Sequence, residues 1–286
     1  MKKLLSLAMV LATGAFFAQN VNTSYQNGYG NGVAVTQVGV NNNSNVNQDG
    51  KIYGAGNGGD NNSATVNQDG VVNMSDISQQ GDNNTGTVNQ SGWYNSATQD
   101  VGIGWAENNV ASADQTGGLN ESTQKQRYDN NSATVIQMGT GFFGYGGNTA
   151  IQNQSSMANA VAGSSALIYQ VGTDNRAVQR QRGSYNVAYS IQTGANNWSR
   201  ERQTSMPGLG YASFSYVRQD SASDGHRADV TQDAAYGNNS SYVLQGDLLG
   251  VGGNSATVTQ NAIFSGNSSN VVQFGANTAT ISQTGY

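Results

Sequence analysis

Apolar side chains in this chain stand at every second position within short runs and then give way to polar, glycine-bearing gaps. The cleanest run is the block Asn62, Ala64, Val66, Gln68, repeated as Asn254, Ala256, Val258, Gln260. These four positions share one parity, so an extended strand sends them all to the same face, whereas a helix would scatter them around its axis. The pattern predicts strands of about five residues whose inward face carries Asn, a small residue, a β-branched residue and Gln. Between Gln170 and Gln203 the repeat glutamines, with Gln181 and Gln192 between them, recur every 11 residues, and Asn175, Asn186 and Asn197 stand six residues before the last three. A tight Gln-x-Gly-x-x-Asn turn fills each gap.

The same spacing runs through residues 33–286. It takes in Gln37, then Asn42 to Gln48, Asn73 to Gln79, Asn84 to Gln90, Asn131 to Gln137, Asn267 to Gln273 and Asn277 to Gln283. So short a strand cannot bury its face alone, but two strands per coil, with each coil stacked on the last, set every block against a copy of itself. The predicted fold is all-β: a β-solenoid of stacked two-stranded coils with in-register Asn/Gln, Ala/Ser and Val/Ile ladders. About nineteen block-like segments imply about nine or ten coils. Asn and Gln amides both donate and accept, so each amide can satisfy its copy in the next coil, and these amides are the candidate core-ladder and assembly residues.

Gly39, Gly70, Gly81, Gly172, Gly183, Gly194 and Gly275 each stand two residues after a repeat glutamine and are expected in turns that need positive φ or close backbone approach. Three places break the pattern. Asn95, Ala97 and Gln99 read as a truncated block followed by a bulged or displaced strand; His226 takes the asparagine place before Gln232; and Gly86 takes the alanine place before Gln90. Pro207 lacks an amide hydrogen and marks a loop.

Two segments precede the repeats. Lys2 and Lys3 followed by the apolar run Leu4 to Phe17 predict a signal peptide over residues 1–18, cleaved after Ala18. Residues 19–32 are polar and glycine-rich without the full block, and are expected to form a flexible lead. No later segment supplies a transmembrane span.

Only 36% of the residues are apolar and 10% charged, low values for a packed globule. Disorder would explain that composition but not the repeated placement of valine and alanine four and two positions along from the block asparagine. The absence of cysteine removes disulfides and thiolate metal sites together. A net charge of −5 gives no support to general nucleic-acid binding. Against that background Arg176, Arg180, Arg182, Arg200, Arg202 and Arg218 form a local cluster. It reads first as a solvated strand face, with docking of a partner or an anionic polysaccharide as the alternative.

Catalysis needs convergent groups of unlike kind, and few are present. His226 is the single histidine, and Asp49, Asp69 and Asp100 follow repeat glutamines and so face outward. No catalytic, cofactor or metal site is expected. An ice-binding face would need a regular threonine rank, which is missing, and a non-polymerising secreted adhesin or carbohydrate-binding solenoid remains the alternative to a self-assembling one.

Blocks such as Gln68 to Gln79 through Gly70 and Asn73, and Gln126 to Gln137 through Asn131, Ala133 and Val135, resemble the curlin repeat of curli, the extracellular functional amyloid of bacterial biofilms. The resemblance covers about Val33 to Gln283. It implies a secreted fibre subunit that self-associates at the cell surface and contributes to matrix and adhesion. It further implies an outer-membrane secretion pore, export chaperones and a nucleator as partners, with the major subunit as first reading and a minor nucleator as the other. By the same resemblance Gln37, Asn42 and Gln48 at one end, and Asn267, Gln273, Asn277 and Gln283 at the other, match the ladder amides that drive end-to-end growth. The chain departs from the family's pattern in its larger number of coils and its irregular intervals.

Overall fold

The computed structural model describes residues 19–49, 59–103, 106–139, 146–156, 162–206, 211–222, 225–247 and 253–286. The expected signal peptide and Pro207 lie outside them.

Twenty-one strands follow one another in these residues. The first seven are β1 (Val21–Asn27), β2 (Gly32–Val40), β3 (Asn43–Asp49), β4 (Ser63–Val71), β5 (Met74–Gln79), β6 (Thr85–Trp93) and β7 (Ser96–Ile103). The middle seven are β8 (Val110–Gly118), β9 (Glu121–Arg127), β10 (Ser132–Gly139), β11 (Thr149–Ser155), β12 (Ser165–Thr173), β13 (Arg176–Arg182) and β14 (Val187–Ala195). The last seven are β15 (Trp198–Ser205), β16 (Ser213–Ser221), β17 (Arg227–Ala234), β18 (Asn239–Gly246), β19 (Ser255–Ala262), β20 (Asn267–Phe274) and β21 (Thr278–Gly285). Odd-numbered strands form one parallel sheet of 11, sheet A, and even-numbered strands a second of 10, sheet B. The chain thus alternates between two sheets and climbs one strand in each per coil, which is the predicted β-solenoid.

Register follows the block. Ala64, Val66 and Gln68 of β4 pair with Gly86, Val88 and Gln90 of β6, and the same match of like positions continues through β8, β10 and β12. A one-residue slip would turn every inward residue to solvent, so the buried face fixes the register. Interior strands accordingly alternate buried and accessible positions, as in β10 and β11.

The apolar core is thin and divided. One cluster gathers Val46, Val66, Ile77 and Val88 near the first coils, and a second gathers Val217, Val230, Val243 and Val258 near the last. Between them Val135, Ala150, Ile168 and Ala177 form a third, smaller cluster. Amides fill what those residues leave.

The flexible lead expected over residues 19–32 is corrected by β1, which pairs in register with β3 from Val21↔Asn43 to Asn27↔Asp49. Asn20, Asn22, Ser24 and Gln26 are in fact a full block with polar residues in its two apolar places. Pairing with β3 is enough to order it, because Gln26 donates to Gln48 at 3.0 Å and Asn20 accepts the Asn42 amide at 3.0 Å. The register shift expected near Asn95 falls between Val101 and Ile103.

Candidate assembly site

Three kinds of amide column run through the stack. The first is the repeat glutamine of sheet B, where Gln37, Gln68, Gln90, Gln115 and Gln137 link head to tail at 2.7–2.8 Å. It continues through Gln170, Gln192, Gln219, Gln245 and Gln273 at 2.8–2.9 Å without a break. In every link Nε2 donates to Oε1 of the next coil, and Nε2 also donates to a carbonyl of the facing sheet, as Gln68 does to Asn43 at 3.0 Å. Both hydrogens are therefore used, and desolvation of the amide is offset.

The matching column in sheet A runs from Gln26 through Gln48 to Gln79, and again from Gln126 through Gln154, Gln181, Gln203, Gln232 and Gln260 to Gln283. It is cut at β7, where Val101 takes the glutamine place and Gln99 the valine place. The cut leaves the Gln126 Oε1 buried without a donor.

The second kind is the block asparagine. Its Oδ1 accepts the backbone N–H of the asparagine one coil on, and its Nδ2 donates to a turn carbonyl: Asn62 accepts from Asn84 at 3.0 Å and donates to Gly81 at 2.7 Å. In sheet A this column is unbroken from Asn20 and Asn42 through Asn73, Asn95, Asn120, Asn148, Asn175 and Asn197. His226 then takes the place of asparagine and keeps the column intact. Its N–H donates to Asn197 Oδ1 at 3.0 Å and its Nδ1 accepts from the Asn254 N–H at 3.0 Å, before Asn277 donates to Asn254 at 3.1 Å. An accepting Nδ1 leaves the proton on Nε2, which lies 3.0 Å from the Asp220 carbonyl and 3.2 Å from Asp247. In sheet B, Asn31, Asn62, Asn84, Asn109 and Asn131 form the column, Ser164 interrupts it, and Asn186 accepts from Ser213.

The third column is absent from the block pattern. Gln99, Gln124, Gln152 and Gln179 occupy the valine place of four successive sheet A strands and link at 2.9–3.0 Å. Gln179 then donates to Glu201 Oε1 at 3.2 Å. Glu201 is fully buried, and its Oε2 is without a hydrogen-bond partner. Burial pushes its carboxyl from 4.5 up to about 8, against the smaller opposing pull of Ser215 on β16 and Gln179. The signal for this column was present as Gln-x-Gln in β9, β11 and β13, with Glu-x-Gln in β15.

Of the amides singled out by spacing, Asn42, Gln48, Asn62, Gln68, Asn73, Gln79, Asn84, Gln90, Asn131, Gln137, Asn175, Gln181, Asn186, Gln192, Asn197, Gln203, Asn254, Gln260 and Gln273 are buried. Gln37, Asn267 and Gln283 are half-buried in end strands, and Asn277, just before β21, is exposed. Gly39, Gly70, Gly81, Gly172, Gly183, Gly194 and Gly275 all have φ between 82° and 127°. Among the described residues no group of three or more His, Cys, Asp or Glu side chains is gathered to hold a metal ion, and no helix is long and apolar enough to cross a membrane.

Residues 59–92, which carry β4, β5 and most of β6, match the family model of the curlin associated repeat. No curated protein matches the chain. The coils on either side of the matched segment repeat its register and its amide columns. Over residues 59–92 the chain is similar to the curlin repeat of curli-type proteins.

Proposed function

We propose that this protein is a secreted structural subunit that polymerises end to end into fibres at the cell surface, where the fibres serve matrix and adhesion. The observation that carries this reading is the polarity of the amide columns. Every glutamine link runs Nε2 to Oε1 toward the last coil. One end of the molecule therefore presents the acceptors of Gln26 and Gln37. The other presents Gln273 and Gln283, whose Nε2 groups donate only to the carbonyls of Ser255 and Ser268. The two ends are complementary and different, so contact between them is head-to-tail, and stacking along the one axis of the coils extends it as an open filament. The inward positions of β2 and β21, buried in interior strands, are half-exposed at these edges. A second copy supplies the missing coil, with main-chain pairing giving affinity and the amide and valine ranks selecting register.

Family resemblance supplies the setting: export through an outer-membrane pore with chaperones, nucleation on a partner, and polysaccharide in the surrounding matrix. The test is a time course on initially monomeric mature protein, residues 19–286, followed by thioflavin fluorescence and electron microscopy on the same samples. Fibres that appear after a lag and seed fresh monomer are the expected result. A discrete β-rich monomer that never seeds overturns the reading and moves the protein to the non-polymerising adhesin class.

A further inference from the structure

The outward face of sheet A carries charge unevenly. Lys125 and Arg127 on β9, Arg180 and Arg182 on β13, and Arg202 on β15 are all exposed there. Parallel register sets Arg180 directly beside Arg202, and places Arg127 two strands from Arg182 in one rank through Ser155. Adjacent strands are about 4.8 Å apart, a spacing at which like charges directly opposite destabilise a sheet. Asp100 stands beside Lys125 in register, but among the described strands no carboxylate lies directly opposite the four arginines. Ion pairs among the described residues join Arg200 to Asp229 and Arg218 to Asp220, and neither reaches these five cations.

Arg127, Arg180, Arg182 and Arg202 instead line one shallow groove of about 440 Å³. Between the guanidinium groups stand the Asn153 amide and the Ser155 and Thr204 hydroxyls, with a single carboxylate, Asp233, in the lining. Guanidinium forks match carboxylates two bonds at a time, and amides and hydroxyls suit the hydroxyls of sugars. No aromatic side chain lines the groove, so it lacks the stacking platform on which single-stranded nucleic acid depends. We infer that this face of sheet A binds a linear acidic polysaccharide of the uronic-acid class, its carboxylates held by Arg180, Arg182 and Arg202 and its hydroxyls by Asn153 and Thr204. The groove lies on the side of the stack, in coils away from both end strands, so the inference stands on a single molecule and does not depend on polymerisation. In a fibre the groove would recur once per subunit and bind one long polymer many times over.

Titration calorimetry of polygalacturonate into the folded chain at low ionic strength tests it, with a neutral glucan and single-stranded DNA as comparison probes. Polygalacturonate is expected to bind, and its affinity to fall as salt is raised. The paired change Arg180→Gln with Arg202→Gln is expected to weaken it at least about tenfold, as is Arg182→Gln in part, while Arg218→Gln on sheet B leaves it unchanged. The paired change removes a like-charge contact, so the circular dichroism spectrum and thermal midpoint should hold. Equal binding by the paired variant, equal binding of the neutral glucan, or tighter binding of the DNA each overturns the assignment.

Discussion

Glu201 is the residue whose chemistry departs furthest from its neighbours, because it closes a buried amide column with a group that can ionise. Its carboxyl titrates near 8 when folded against 4.5 as its ordinary value. Between those pH values the folded chain keeps a proton that the unfolded chain has released. Stability contributed at this site is therefore highest below pH 4.5, falls as pH rises through this window and is flat above about 8. Glu201→Gln should remove that slope and stabilise the protein at neutral pH. Its new Nε2 would stand opposite the Tyr189 carbonyl, the next in a rank where Gln124, Gln152 and Gln179 donate to Ser112, Thr134 and Leu167. Urea denaturation of both proteins at pH 4.5, 6 and 8 reads the difference, and parallel curves for the two proteins would remove Glu201 from the account. A second residue-scale strain sits in the turn before β5. Val72 holds φ of 57°, as do Asn41 and Asn61 at the same turn position. A β-branched side chain is poorly suited to that region, whereas asparagine tolerates it. Val72→Asn should raise stability by about 1 kcal/mol, seen as a higher thermal midpoint.

At the scale of strand and turn, a glycine two residues after a repeat glutamine, where one is present, limits how closely coils stack. A Cβ built on Gly70 would lie 2.0 Å from the Gly92 carbonyl oxygen, and one on Gly39 2.0 Å from that of Gly70. Gly70→Ala should cost more than about 2 kcal/mol, through both this clash and its φ of 127°. Gly32→Ala, where nothing lies within 4 Å, is the matched control and should be near neutral. Denaturant midpoints for the pair separate a stacking constraint from a general dislike of alanine. These turns, the strand parity and the repeat glutamines were legible because each leaves a mark within one 11-residue unit. What was not legible depends on residues a full coil away. Asn22 and Ser24 hide β1, since its order comes from β3, 22 residues on. Gln124 looks misplaced until Gln99 and Gln152, 25 and 28 residues distant, are set above and below it. A polar residue in an inward place is tolerable only in the company of its stacked copies, and a single block does not contain them.

Across the whole molecule each column keeps one direction, glutamines donating toward the last coil and asparagines accepting from it, and that polarity gives the two ends different vulnerabilities. Gly275 holds in the last coil of sheet B the turn place that Gly39 and Gly70 hold in the first coils, with Ser221 and Asp247 there in the two coils before it, and it follows the last strand of that sheet. A Cβ there meets only the Asn277 Nδ2 at 3.9 Å. Gly275→Ala should therefore fold, at a cost of about 1–2 kcal/mol for its positive φ. In a growing fibre the same methyl would face the first turn of the incoming copy at Gly39, and a glycine pair such as Gly39 and Gly70 leaves room for a carbonyl and nothing more. The variant should join a wild-type fibre through its intact first coil and then block further addition. Small doses should slow seeded elongation out of proportion to their amount, and labelled fibres should stall at one end while the other still grows. Gly275→Ala chains that elongate wild-type seeds at the wild-type rate would mean that the turn column is not continued across the junction, and stacking in this register would have to be abandoned.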